Sequence, residues 1–97
     1  MHYQPFRLFA VGGYANDSYL KTIEGFDIKK QVWEEMPSMK SKRSSLGVVV
    51  VSNYLYAVGG SDGSCLNTME RFDLAEQVWE EMPSMNSERS ALGVTFF

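Results

Sequence analysis

Residues able to do redox, acid–base or metal chemistry are scarce in this 97-residue chain, which has one histidine and one cysteine. The histidine, His2, stands at the N-terminus, so a Ser/His/Asp or Cys/His catalytic arrangement is not expected. Cys65 has no second cysteine for an intrachain disulfide, which is compatible with a reducing cytosol. The usual His and Cys metal ligands are missing as well. We therefore predict no catalytic residue, no metal site, no cofactor and no enzymatic activity.

The sequence also lacks a basic patch and a long apolar segment. It has 9 Lys and Arg against 12 Asp and Glu, a net charge of −3, which leaves no electrostatic footprint for nucleic acid or an anionic membrane. No apolar run approaches the ~18 residues of a membrane span. Residues 1–5 lack the basic and apolar regions of a signal peptide. These absences predict no nucleic-acid partner, no membrane partner and a cytoplasmic location.

Repetition is what the sequence has in abundance. Leu8–Gly13 (LFAVGG) returns as Leu55–Gly60 (LYAVGG), and Val32–Met39 returns unchanged as Val78–Met85. The offset is 47 residues for the first pair and 46 for the second. A period in this range indicates a solenoid, a propeller or a similar array.

Short strands separated by turn residues are predicted within each repeat, because β-branched and aromatic residues are frequent and no segment keeps a helical period. In the second repeat we predict four antiparallel strands, at 45–51, 54–58, 68–72 and 78–82. Ser52 and Asn53 form a two-residue hairpin turn, with Asn53 at positive φ. Four such strands in every repeat are the pattern of one propeller blade.

These residues resemble the kelch repeat. The likeness lies in five features. They are the double glycine (59–60), the aromatic in Glu-Arg-Phe-Asp (70–73), a tryptophan seven residues after that aromatic (79), the Met-Pro-Ser-Met tail (82–85) and an Arg-Ser-x-Leu-Gly-Val opening (43–48 and 89–94). The resemblance covers almost the whole chain. It is closest to the kelch domains of BTB–kelch ubiquitin-ligase adaptors, which are six-bladed propellers. The resemblance implies an all-β fold of kelch-type blades with four antiparallel strands each.

Counting strands gives the domain boundaries. Residues 1–42 provide a kelch blade that lacks its first strand, residues 43–85 provide a complete blade, and residues 86–97 provide the first strand of a further blade. Two blade equivalents cannot close a ring, because propellers have about four to eight blades. We therefore predict head-to-tail assembly, with the strand Gly93–Phe97 pairing with Arg7–Val11 of the neighbouring chain. A homotrimer with six blades is favoured over rings of two or four chains.

The candidate binding site is a loop face at one end of the propeller. The resemblance implies that peptide or protein ligands bind the loop after the double glycine and the start of the first strand, and loops on a rigid scaffold often carry recognition. Carried onto this sequence, the positions are Tyr14, Tyr19, Ser44, Ser45, Ser61, Cys65, Ser90 and Ala91. Some relatives that bind acidic motifs use arginines there, and this sequence has none. A neutral surface of hydroxyls and tyrosines is expected, with Cys65 as a passive loop residue or a reactive thiol.

Two sets of repeated charges have alternative interpretations. Arg43 and Arg89 could form structural ion pairs with Glu70 and Glu24, or each could face solvent, where such pairs contribute little. The duplicated Glu-Glu pairs in 34–35 and 80–81 could serve acid–base chemistry, but a solvated outer strand that resists edge pairing is favoured.

Two classes of function remain. In the first, the chain is a non-catalytic interaction scaffold from a family that recruits substrates to cullin-type ubiquitin ligases. That adaptor activity requires a BTB domain, which these 97 residues do not contain. In the second, the chain is a purely structural propeller fragment, engineered or made as a model of propeller evolution, with no natural ligand. The 18 identities in 28 aligned positions between 24–51 and 70–97 agree with the second class.

Overall fold

The computed structural model describes residues 7–97, which fold into two antiparallel sheets without a helix in that range. The first sheet, blade 1, contains β1 (Arg7–Ala15), β2 (Ser18–Asp27) and β3 (Val32–Met36) in the order β1-β2-β3. The second sheet, blade 2, contains β4 (Gly47–Val51), β5 (Tyr54–Val58), β6 (Met69–Asp73) and β7 (Val78–Met82) in the order β4-β5-β6-β7. The predicted all-β fold of antiparallel blades is confirmed. Residues 86–97 form no strand in this single chain.

The observed strands differ from the predicted ones at three strand ends and one turn. β5 and β7 have the predicted bounds, whereas β6 begins and ends one residue later than predicted. β4 begins at Gly47 because Ser45 adopts a φ of +49°, which is incompatible with a strand. In the β4–β5 hairpin the residue at positive φ is Ser52, at +55°, and the prediction for Asn53 is wrong.

Side chains alternate between two faces of each blade. The face of blade 2 toward blade 1, which we call its front face, is at most 6 % exposed at five positions: Leu55, Ala57, Glu70, Phe72 and Trp79. With Ile23 and Met39 of the first repeat, the apolar members form the buried core. The core therefore lies between the blades, and burial of each large apolar side chain there contributes about 1.5–3 kcal/mol.

The front face of blade 1 carries the equivalent residues, and no other element within residues 7–97 covers them. They are Leu8, Ala10, Glu24, Phe26 and Trp33, which occupy matching register positions on β1, β2 and β3. Leu8 is 54 % exposed and Trp33 is 52 % exposed. Nearly identical strands thus have buried or exposed faces according to whether a blade precedes them.

Substituting the second glycine of each repeat tests the packing at the double glycines. Gly60 and Gly13 both have positive φ, at +99° and +114°, so alanine is conformationally strained at either position. A Cβ at Gly60 would lie 2.6 Å from the backbone oxygen of Ser44, whereas at Gly13 the nearest atom is a Leu20 methyl at 4.0 Å. We expect Gly60→Ala to lower the free energy of unfolding by about 1–3 kcal/mol more than Gly13→Ala does. Urea titration followed by tryptophan fluorescence measures both, and equal losses would contradict the close approach.

Candidate binding face

The start of blade 2 and the loop after its double glycine are joined by backbone hydrogen bonds. Ser44 and Ser61 each donate a backbone N–H to the carbonyl of the other, at 2.8 Å. Ser61 also forms an isolated bridge with Cys65 across the loop. The loop and the strand start predicted from the two segments therefore form one surface.

The C-terminal segment extends this surface. The sulfur of Cys65 lies 3.6 Å from the Ser90 hydroxyl, and the Ala91 N–H donates to the Ser45 carbonyl at 2.7 Å. Cys65 is a free, exposed cysteine. Six of the eight predicted residues thus lie in one connected network, although they come from three separate parts of the chain.

The other two predicted residues, Tyr14 and Tyr19, face each other across the β1–β2 hairpin. Their rings pack edge to face with centroids 4.9 Å apart, and Tyr14 is largely exposed. A Cβ at Gly63 would lie 3.8 Å from the Tyr19 ring, so Tyr19 reaches the loop of blade 2 that contains Ser61 and Cys65. The structure therefore places all eight predicted residues on one continuous surface, which we call the binding face.

Two carboxylates near the binding face were not predicted as part of it. Asp17 lies in the β1–β2 hairpin at a φ of +62°. Asp62 lies in the blade 2 loop, where its side chain accepts the Ser64 N–H at 3.2 Å. Neither loop contains Arg or Lys. The signal available in the sequence was the Asp-Gly turn, and the resulting face is neutral at its centre and weakly acidic at its edges.

A buried arginine lies beneath the binding face and connects its supporting segments. The Arg43 guanidinium donates to Oε2 of Glu70 through Nε at 3.1 Å and Nη2 at 3.0 Å. Its Nη1 donates to the Gly59 and Thr68 carbonyls, each at 3.0 Å. The side chains of Arg43 and Glu70 are both 1 % exposed. The ion-pair interpretation is therefore confirmed for this pair.

Glu70 also binds the linker between the blades. Its Oε1 accepts the Lys40 N–H at 2.7 Å, and its Oε2 accepts the Ser41 N–H at 3.2 Å. The repeat equivalents Arg89 and Glu24 form no ion pair with each other in the single chain, where both are exposed. The same two residue types are thus paired where one blade follows another and solvated at the ends of the chain.

A second charged cluster lies on the face of blade 2 that points away from blade 1, which we call its back face. The Arg71 guanidinium lies 3.9 Å from the Tyr54 ring centroid and donates to the Tyr56 hydroxyl and to Glu80. The hydrogen bond to Tyr56, followed by the bond to Glu80, raises the pKa of Arg71. The equivalent position in blade 1 is Gly25, which is buried between Phe9 and Met36.

The repeated Glu-Glu pairs do not form an acid–base site. Consecutive strand residues point to opposite faces, so the two carboxylates of each pair cannot address one substrate. Glu34 lies 3.6 Å from Arg7, and Glu80 pairs with Arg71. The solvated-strand interpretation is the one that the structure supports.

Across residues 7–97, no three His, Cys, Asp or Glu side chains are grouped to hold a metal, and no helix is long and apolar enough to cross a membrane.

Comparison with known proteins finds the Kelch motif at residues 7–40 and 42–86. The chain belongs to the kelch-motif family. Among similar curated proteins, the Kelch-like ECH-associated protein 1A of Danio rerio is 46 % identical over 53 residues, which are 55 % of this chain and 9 % of that protein. A kelch repeat and BTB domain-containing protein of Caenorhabditis elegans is 41 % identical over 56 residues, which are 58 % of this chain and 10 % of that protein.

A third relative is the influenza virus NS1A-binding protein homolog of Xenopus laevis, 37 % identical over 57 residues, which are 59 % of this chain and 9 % of that protein. The kelch chain thus matches about a tenth of the length of each of these relatives. The matched motif and these relatives identify it as a kelch-repeat chain.

Proposed function

We propose that this kelch chain is a non-catalytic scaffold that binds a peptide or protein through the binding face. We also propose that it acts in the cytoplasm and assembles with copies of itself into a six-bladed ring of three chains. The observation that supports the binding role is the hydrogen-bonded junction of Ser44 with Ser61. It fixes the start of one strand against the loop after the double glycine, and the predicted residues of both segments lie around it.

The chemistry of the binding face favours an uncharged or basic peptide. The Ser44 hydroxyl donates to the Ser61 carbonyl and can accept from a ligand, whereas the Ser61 hydroxyl accepts from the Gly63 N–H and can donate to one. Tyr14 supplies a rigid, exposed aromatic surface of the kind that dominates binding energy at interfaces. Asp17 and Asp62 at the edges disfavour an acidic motif, since like charges across an interface are repulsive. In a longer protein that also carries a BTB domain, the binding face would supply substrate recognition for a cullin-type ubiquitin ligase.

Replacing Tyr14 with alanine tests the binding role. We expect the chain to retain neutral or basic peptides from an immobilised library in preference to acidic peptides of equal length. Tyr14→Ala should lower the affinity for the best retained peptide by roughly 10-fold or more, because truncating an aromatic anchor costs about 1–2 kcal/mol or more of binding free energy. Lys29→Ala is the control, since Lys29 lies in the β2–β3 turn at the opposite end of blade 1.

The outcomes separate the two classes of function. Selective retention of acidic peptides would contradict the proposed chemistry of the binding face. No retention of any peptide by a stable ring would instead favour the purely structural alternative, a propeller fragment without a natural ligand. Light scattering on a sizing column tests the ring itself, with an expected mass three times that of the 11.0 kDa chain.

A further inference from the structure

The junction between blades 1 and 2, which we call the internal junction, consists of contacts whose residues recur in the sequence. Trp79 Nε1 donates to the Pro37 carbonyl at 2.7 Å, and Arg43 binds Glu70 and the carbonyls of Gly59 and Thr68. The repeat equivalents of these six residues are Trp33, Pro83, Arg89, Glu24, Gly12 and Thr22, each of the same type. The chain therefore carries a second full set of junction residues, divided between its two ends.

The N-terminal half of this second set lies on a surface that no other part of the described chain covers. The front face of blade 1 presents Leu8, Trp33 and Glu24 to solvent. Within residues 7–97, the sheet order leaves the outer edge of β1 without a partner strand. In blade 2 the equivalent edge, that of β5, is covered by β4. The missing component is one strand that enters beside β1.

The C-terminal half of the second set lies on a segment that is held in the orientation needed to supply this strand. The linker before blade 2 and the linker after it are fixed by three matching backbone hydrogen bonds, with N···O distances of 2.7–2.9 Å. The first linker uses Met39 N to Lys21 O, Arg43 N to Leu20 O and Gly13 N to Arg43 O; the second uses Met85 N to Asn67 O, Arg89 N to Leu66 O and Gly60 N to Arg89 O. Beyond the second linker, Leu92 and Val94 lie against Gly47 of β4. The linker after blade 2 thus leaves its blade in the same way as the linker after blade 1 does.

We infer that the partner of each open end is a second copy of this chain, and that the junction between copies repeats the hydrogen bonds and the ion pair of the internal junction. Arg89 of one copy forms a buried ion pair with Glu24 of the next, and Trp33 of that next copy donates to the Pro83 carbonyl. Residues 93–97 add to β1 antiparallel in the register that β4 shows with β5, which pairs Val94 with Ala10. This inference rests on the self-assembly part of the proposed function and specifies its interface.

Complementarity favours a second copy over an unrelated partner. The exposed apolar surface of Leu8 and Trp33 lies on the same face as the Glu24 carboxylate, and the other end of the same chain supplies Arg89 as its match. A second carboxylate on this face, Glu35, corresponds to Glu81, which stays exposed beside the internal junction. The back faces of the two blades carry apolar side chains at equivalent positions: Val58 and Met82 of blade 2 correspond to Val11 and Met36 of blade 1. The charged differences of the blade 2 back face include Tyr54 in place of Arg7 and Arg71 in place of Gly25. Contacts with Tyr54, Tyr56 and Glu80 hold the Arg71 side chain against its own sheet.

Charge reversal tests the ion pair between copies. Glu24 and Arg89 are exposed in the single chain, so Glu24→Arg and Arg89→Glu are expected to leave its circular dichroism spectrum unchanged. Each reversal should raise the protein concentration needed for threefold mass by roughly 100-fold or more, because it buries like charges at every junction. Glu76→Arg, a reversal of the same charge in the exposed β6–β7 turn, is the matched control and should assemble as the wild type does.

Cysteine pairs test the register independently of charge. In a Cys65→Ser background, Ala10→Cys with Val94→Cys should oxidise to interchain disulfides that join up to three copies. Leu8→Cys with Val94→Cys, displaced by two residues on the same face, should cross-link at least several-fold less, since diagonal neighbours lie too far apart.

The results distinguish a failure of the junction from a failure of assembly. A threefold mass that Glu24→Arg leaves intact, or more efficient cross-linking by the displaced pair, would overturn the inferred junction while the ring survives. A wild-type mass of one chain at all concentrations would overturn both the junction and the proposed assembly. Loss of threefold mass in both reversals, with the control unaffected and the in-register pair cross-linked, supports the junction.

Discussion

Arg43→Ala is expected to lower the free energy of unfolding by about 3–5 kcal/mol, because it leaves the buried Glu70 carboxylate without its guanidinium. The carbonyls of Gly59 and Thr68 lose a donor at the same time. A loss of this size is comparable to the whole stability of a small domain, about 5–15 kcal/mol. Urea titration at a fixed protein concentration, followed by circular dichroism, should show a transition at much lower urea or no cooperative transition.

Lys42→Ala is the matched control for Arg43→Ala. Lys42 is also a long cationic side chain in the linker, but it is exposed. Its removal is expected to change the free energy of unfolding by no more than about 0.5 kcal/mol. Unfolding of both variants at the urea concentration of the wild type would contradict the structural role assigned to the Arg43–Glu70 pair.

Trp79→Ala is the second substitution with a large expected effect, a loss of about 3–5 kcal/mol in the free energy of unfolding. Trp79 packs against Phe72 with ring centroids 5.0 Å apart and fills the core between the blades. The substitution also leaves the Pro37 carbonyl without the indole N–H. Thermal unfolding monitored by circular dichroism measures the change.

Trp33→Ala provides the comparison with Trp79→Ala, because Trp79 is buried within one chain whereas Trp33 would be buried only between chains. Trp33 contacts Phe26 with the same centroid distance of 5.0 Å, but half of its surface is exposed in the single chain. At protein concentrations too low for assembly, Trp33→Ala should therefore cost less than half as much as Trp79→Ala. Equal losses at those concentrations would contradict the difference in burial.

The local strand pattern could be predicted from the sequence, but burial could not. Two-residue hairpin chemistry and a proline stop located β5 and β7, because both signals are local. Trp33 and Trp79 stand in identical local sequences, so no property of those sequences indicates that one is buried and the other exposed. That difference comes from the preceding blade, which is a tertiary effect.

For the candidate site, the residues could be predicted from the sequence, but the contacts between them could not. Its residues were predicted through the kelch resemblance, which supplied the two segments and their positions. The contact of Cys65 with Ser90 joins residues 25 positions apart, and the Tyr19–Gly63 contact crosses from one blade to the other. Neither contact has a periodic signal in the sequence. The first depends on how the segment after blade 2 folds back onto that blade, and the second depends on how the linker positions blade 2. Asp62 stands in an Asp-Gly turn that the sequence shows, but the position of Asp17 and Asp62 beside the predicted site residues could not be inferred from it.

The exchange of Gly25 for Arg71 has a consequence for the symmetry of the proposed ring. Six identical blades would be related by a sixfold axis, and every cleft between blades would be equivalent. Here the back faces alternate between a buried glycine and a cation stacked on tyrosine, so a ring of three chains has only a threefold axis. Its clefts fall into two chemically different sets of three, and a ligand that distinguishes the sets would bind with a stoichiometry of one per chain.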